Sequence, residues 1–174
     1  MKVLVFYGTI EGQTRKIASH VAETLERVGH EVVLADAADK TAEVAPGGFD
    51  KVILAGSVHE RRHPPLFEMF IAAERNTLDP ARTLLVSVSL MAAFEESRDQ
   101  AGDFVTELQM RTGFTPGSVA LVAGAVRPGS YDYFATQVVR HVVMRGRAYR
   151  PEDGTREFTD WAALDRDVAG FMAA

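Results

Sequence analysis

Cysteine is absent from the 174 residues, which excludes a disulfide framework, a thiolate zinc site, an iron–sulfur cluster and a catalytic thiol. Long apolar runs are absent too. The N-terminal run Val3-Leu4-Val5-Phe6-Tyr7 stops at Gly8, short of a signal-peptide core and far short of the ~20 apolar residues that cross a bilayer. A cytoplasmic location is the expectation. Positive charge is not in excess: 19 Lys+Arg stand against 24 Asp+Glu, a net charge of -5, the wrong sign for wholesale attraction to nucleic acid or anionic lipid. No nucleic-acid partner is expected. No repeat, low-complexity tract or linker interrupts the chain, and 47% apolar with 25% charged residues is the composition of one globular domain, here residues 1–174.

What is present is an alternation. Apolar runs at residues 3–7, 31–34, 52–55, 84–88 and 119–123 are each too short for a helix and mostly end in Gly, Asp or Ser, so they predict five strands. Between the first two, Ile17, Ala18, Val21, Ala22, Leu25 and Val28 fall at helical spacing, with Arg15, Lys16, Glu23, Glu26 and Arg27 opposite and Gly29 as the stop. Pro64-Pro65 opens a second helix at about 66–76, a third is expected at about 99–112, and a last follows Thr159 as N-cap with Asp160 in its first turn. Near-continuous apolar strands alternating with helices predict a doubly wound α/β fold, a parallel sheet covered on both faces. Ligands of such sheets bind at the carboxyl ends of the strands, so the loops after strands one, three and four are where chemistry belongs.

The first of these loops reads Gly8-Thr9-Ile10-Glu11-Gly12-Gln13-Thr14. Two glycines let successive amides turn inward, Thr9 and Thr14 add hydroxyls, Gln13 adds an amide, and the helix that follows presents its positive end, a combination suited to a phosphate. The plainer reading is a Gly-rich strand-to-helix turn. It is not a nucleotide P-loop, because three residues separate the glycines and no lysine follows the second; nor is it the G-x-G-x-x-G of dinucleotide folds. The carboxylates that a phosphorylated receiver domain needs at the ends of strands one and three are replaced by Tyr7-Gly8 and Gly56-Ser57.

The stretch Tyr7-Gly8-Thr9-Ile10-Glu11-Gly12-Gln13-Thr14 resembles the phosphate loop of flavodoxin-like proteins. Ala55-Gly56-Ser57-Val58, Ser87-Val88-Ser89-Leu90, Ala123-Gly124-Ala125 and Phe158-Thr159-Asp160-Trp161 are similar to one branch of that superfamily, the menaquinone-dependent protoporphyrinogen IX dehydrogenases of haem synthesis. The resemblance covers essentially the whole chain. It implies a flavodoxin-like sheet of order 2-1-3-4-5 with an insert at about 127–158, and FMN as cofactor. Its phosphate would be held by Thr9, Ile10, Glu11, Gly12, Gln13 and Thr14, and its ring by Ser57, Val58 and His59 on one side and Ser89, Leu90 and Met91 on the other. It further implies a porphyrinogen substrate oxidised to protoporphyrin IX in two-electron rounds and a quinone acceptor, with the flavin and no protein side chain carrying the chemistry. The aromatic residues that flank the ring in electron-carrier flavodoxins are missing from Val58-His59-Glu60-Arg61-Arg62, and Phe94 alone stands in the other loop. An electron carrier is the alternative, and a flavin-free interaction module a third reading.

Two basic features remain open at this level. Arg61 and Arg62, flanked by His59 and His63, form a cationic cluster that either meets porphyrin propionates or is simply solvated. The two histidines lack a third ligand at metal spacing, so no metal is expected. Residues 127–150 hold five arginines against one aspartate. On a helical wheel Phe134, Val138, Val139, Val142 and Val143 oppose Arg140 and His141. Tyr131 and Tyr133 precede them. This basic helical insert either docks on its own core or lies on the inner face of the cell membrane, with Tyr131, Tyr133, Phe134, Arg140, Arg145 and Arg147 as contacts.

Overall fold

The computed structural model describes residues 1–39, 41, 43–127 and 154–174. In chain order the main elements are β1 (Lys2–Gly8), α1 (Gln13–Arg27), β2 (Glu31–Asp36), β3 (Lys51–Ser57), α2 (Pro65–Glu74), β4 (Thr83–Ser89), α3 (Arg98–Thr112), β5 (Ser118–Ala123), β6 (Ala125–Val126), β7 (Arg156–Glu157) and α4 (Trp161–Ala173). The five apolar runs become one parallel sheet of order β2-β1-β3-β4-β5. Inner strands are buried on both faces, which is why β1, β3 and β4 lack polar alternation.

One face of the sheet packs Val3, Val5, Ile53 and Val86 against Ile17, Val21 and Leu25 of α1 and Leu164, Val168 and Phe171 of α4. The other packs Leu4, Phe6, Leu54 and Leu85 against Phe67 and Ile71 of α2 and Val105 and Leu108 of α3. The period-2 strands and the helical spacing of α1 thus direct side chains into two separate cores. Phe67 decides how close α2 comes to the sheet. A Cβ on Gly8 would stand 2.7 Å from the Phe67 Cβ, and one on Gly56 2.7 Å from its ring, so the strand ends at both loops must be bare.

Two expected helix boundaries need correction. The last helix is capped by Asp160, whose carboxylate accepts from the Ala163 amide at 2.9 Å; Thr159 instead donates its hydroxyl to the Ala123 carbonyl at 2.7 Å. The second helix ends at Glu74, two residues earlier than its apolar pattern suggested. At the borders of the expected insert, β6 just before it and β7 near its end pair antiparallel, Ala125 with Glu157 and Val126 with Arg156. The residues assigned to a membrane contact, Tyr131, Tyr133, Phe134, Arg140, Arg145 and Arg147, lie outside the described residues. Among the described residues no helix is long and apolar enough to cross a membrane.

Candidate functional site

The carboxyl ends of β1, β3, β4 and β5 bring together the loops 9–12, 57–63 and 89–97. In the first, Gly12 adopts φ 89°, a left-handed conformation that favours glycine, and serves as the N-cap of α1 without any side-chain cap bond. Its amide donates to Thr9 Oγ1 at 2.9 Å, which tightens the turn. The next amides open α1 and have no intrahelical acceptor. Thr14 is fully buried, and its hydroxyl has no hydrogen-bond partner, an expensive arrangement unless an acceptor arrives. Orphaned hydroxyl, uncapped helix end and left-handed glycine together fit a phosphate ester.

Gln13 takes a different part from the one expected of it. Its Nε2 donates to Glu157 at 2.9 Å and to Thr159 Oγ1 at 3.0 Å, while its Oε1 accepts from Arg127 at 2.8 Å. The side-chain amide is fully engaged, so Gln13 can offer an incoming anion its backbone N–H. Glu157 also accepts from Lys16 at 2.6 Å and from the Trp161 indole at 2.9 Å. Burial alone would raise its carboxyl, but the bonds from Lys16, Gln13 and Trp161 and the Lys16 charge outweigh burial and bring it down to about 2. Ile10 is exposed, and Glu11 approaches His59 of the neighbouring loop at 3.8 Å.

The second loop is a two-residue hairpin turn. His59 and Arg62 exchange both backbone hydrogen bonds, at 2.9 and 3.0 Å, and the residues between them, Glu60 and Arg61, sit at φ 47° and 66°. Neither is Gly or Asn, the usual occupants of such a turn. Arg61 pairs with Glu107 and covers the Phe104 ring at 5.3 Å, and Arg62 pairs with Glu68 at 3.4 Å. Glu68 in turn receives a two-pronged bond from Arg111, 2.9 and 3.1 Å. The Val58 amide extends the sheet by donating to the Val88 carbonyl at 2.7 Å, whereas the buried Ser57 hydroxyl has no partner.

His63 does not join the cationic cluster. It is 2% exposed, beside Ser87 Oγ at 3.1 Å and stacked near Phe67. Burial, helped by Arg111 and opposed by Glu68, pushes its pKa down to about 4, so the ring is neutral near pH 7.

The third loop follows Ser89, whose hydroxyl accepts from the Ala92 amide at 3.3 Å. Leu90 and Met91 enter two successive single-turn 3-10 segments, Met91–Ala93 and Glu95–Ser97, tied by Ser97 Oγ to the Met91 carbonyl at 2.8 Å. Phe94 packs edge-on to Phe158, ring centroids 5.6 Å apart.

Residues 4–153 match the family described as Flavodoxin domain. The chain belongs to this flavodoxin family. Over 97% of its length it is 27% identical to protoporphyrinogen IX dehydrogenase [quinone] of Escherichia coli strain K12, 95% of which is covered. The same match is found to that protein from Escherichia coli O157:H7. Among solved structures, the flavodoxin of Streptococcus pneumonia TIGR4 superposes with a TM-score of 0.56 at 16% identity, over 99% of each chain. Oxidised flavodoxin 1 from Bacillus cereus gives 0.51 at 17% identity, over 82% of this chain and 99% of its own. At these identities the structural likeness of this flavodoxin-family chain speaks to its fold alone.

Sequence reasoning missed Arg127 and Glu157 as parts of the site. They lie 114 and 144 residues from Gln13, and no local spacing links them to it. The one available signal was the carboxamide of Gln13 itself, a buried group that needs partners.

Proposed function

We propose that this chain is an FMN-dependent oxidoreductase that removes hydrogen from protoporphyrinogen IX and passes the electrons to a quinone. The single observation that carries the cofactor is the fully buried, partnerless Thr14 hydroxyl beside the uncapped start of α1. Thr9, Ile10, Glu11, Gly12, Gln13 and Thr14 hold the phosphate, chiefly through backbone amides. Ser57, Val58 and His59 border the ring on one side and Ser89, Leu90 and Met91 on the other. When bound, the flavin supplies two-electron hydride chemistry.

The chain's own contribution is positioning. The Val58–Val88 and Gly124–Ser89 backbone bonds fix the two ring-bordering loops to the sheet. No aromatic side chain stands in 57–62 to cover a ring face, which leaves room for a substrate to approach. Arg61 and Arg62 remain more than half exposed along their side chains while held by Glu107 and Glu68, so both can meet propionate carboxylates at the rim. The substrate and acceptor follow the Escherichia coli relative, which this chain parallels nearly end to end. The basic stretch 127–150 is proposed to meet the membrane surface from which a lipid-soluble quinone is drawn.

The test is an anaerobic assay of FMN-loaded protein with protoporphyrinogen IX and a menaquinone analogue, followed by porphyrin fluorescence. Catalytic porphyrin formation that needs both flavin and quinone supports the reading. No turnover, together with rapid electron exchange with another redox protein, supports the electron-carrier alternative.

A further inference from the structure

The phosphate loop has a visitor from the other end of the sheet. β5 runs into β6, whose pairing with β7 delivers Arg127 back toward α1. There Arg127 Nη1 donates to the Glu11 carbonyl at 3.3 Å and Nη2 to Gln13 Oε1 at 2.8 Å. A Cβ added to Gly12 would lie 3.5 Å from Nη1, so the guanidinium rests against the backbone that turns the loop. The Glu11 carbonyl and the Gln13 amide oxygen orient the guanidinium against the loop. Among the described residues, charged pairs nearby include Lys16 with Glu157 at 2.6 Å and Glu11 with His59 at 3.8 Å.

Flavodoxin-like phosphate loops of this kind are read from sequence as held by hydroxyls and amides alone, and the 9–14 segment contains no cation. A doubly charged phosphate buried there gains from a fixed guanidinium, since an Arg fork bonds phosphate oxygens with both charge and geometry. We propose that Arg127 is a phosphate-recognition residue, the positive charge that completes the 9–14 loop and makes the site select a phosphorylated flavin over its dephosphorylated form. This rests on the reading of the loop as the FMN phosphate site. The Gln13–Glu157 and Gln13–Thr159 bonds then have a purpose beyond tying the start of α1 to the 157–159 segment: they hold Gln13 where its Oε1 steers Arg127.

The experiment titrates FMN and riboflavin separately into flavin-free full-length protein and reads flavin fluorescence quenching at low and high salt. Wild type, Arg127→Gln and Arg127→Lys are compared, with thermal unfolding as the check on folding. Wild type should prefer FMN. Arg127→Gln should weaken FMN by about tenfold or more, as expected for loss of a charge-assisted bond, leave riboflavin unchanged, and flatten the salt dependence of FMN binding. Arg127→Lys, which keeps the charge without the fork, should recover part of the preference and keeps the test decisive if the glutamine variant folds poorly. Equal weakening of both flavins would overturn the proposal in favour of a scaffolding role through Glu11 and Gln13, and so would no change in either. A wild type that binds riboflavin as tightly as FMN overturns the phosphate-loop reading, and this inference with it.

Discussion

The loops 9–12 and 57–63 sit side by side at the same end of the sheet and are built on opposite plans. The first is short, carries a glycine in the left-handed region, and is held by residues far away in the chain: Arg127, Glu157 and Thr159. It leaves a buried hydroxyl without a partner. The second is closed by its own backbone, places Glu60 and Arg61 in the left-handed region without glycine, and satisfies its arginines with Glu107 and Glu68. The Ser57 hydroxyl at its start is likewise buried without a partner, so each loop keeps hydrogen-bonding capacity for a ligand where it leaves its strand, and only the 59–62 turn, closed on itself, acts as a frame. The two are joined underneath by Phe67, against which both Gly8 and Gly56 must stay bare.

Removing that shared support should erase the contrast. Phe67 is 0% exposed, and Phe67→Ala should cost about 3–5 kcal/mol and loosen both loops together. Urea unfolding gives the stability, and hydrogen exchange at residues 9–14 and 57–63 reports whether both open. Exchange confined to 57–63 would mean that the distant partners of Gln13 hold the first loop by themselves.

Acid should separate the loops again. The folded His63 titrates at about 4 against an ordinary 6.5. Between those values the unfolded chain binds a proton that the folded chain refuses, so stability is fully present above pH 6.5 and falls as the pH drops through the window. The loss from this group is at most about 3 kcal/mol. Urea unfolding at half-unit pH steps should show it, and His63→Phe should flatten that part of the curve. Glu157 acts in the same direction at lower pH, from 4.5 down to about 2, and because its side chain is 30% exposed its share is smaller.

His63 also marks the limit of what the sequence reveals. Strand runs such as Val52 to Ala55 are legible because burial on both faces demands unbroken apolar residues, and the phosphate loop because glycine and hydroxyls cluster at a strand-to-helix junction. In His59-Glu60-Arg61-Arg62-His63, five polar residues look equally solvated. The direction of His63 into the core depends on Gly56 and Phe67 meeting across two elements, which no local pattern encodes. Arg127 fails for the same reason. It counts as one of the five arginines of 127–150, so it reads as part of a basic stretch, while its contacts lie across the fold. The Thr159 cap is an error of one residue: Thr and Asp are both good caps, and the choice was made by the Ala123 carbonyl.

The smallest effect belongs to the turn itself. Glu60→Asn introduces a residue that tolerates the left-handed region and should raise stability by about 0.5–1 kcal/mol. Thermal unfolding measures it, and FMN affinity should not change, because the frame is kept. A loss of stability would mean that Glu60 is held by more than its backbone.

The central claim, that loop 9–14 is completed by a phosphate, is tested most directly at Thr14. Thr14→Val keeps the shape and removes the partnerless hydroxyl, so flavin-free protein should be as stable as wild type or more stable, since an unsatisfied buried group costs about 1–3 kcal/mol. The same variant should bind FMN about tenfold more weakly, the equivalent of one hydrogen bond of ~1.4 kcal/mol, and riboflavin as before. Unfolding of the flavin-free protein and titration with both flavins measure the pair of effects. A less stable variant that binds FMN as tightly as wild type would contradict the account.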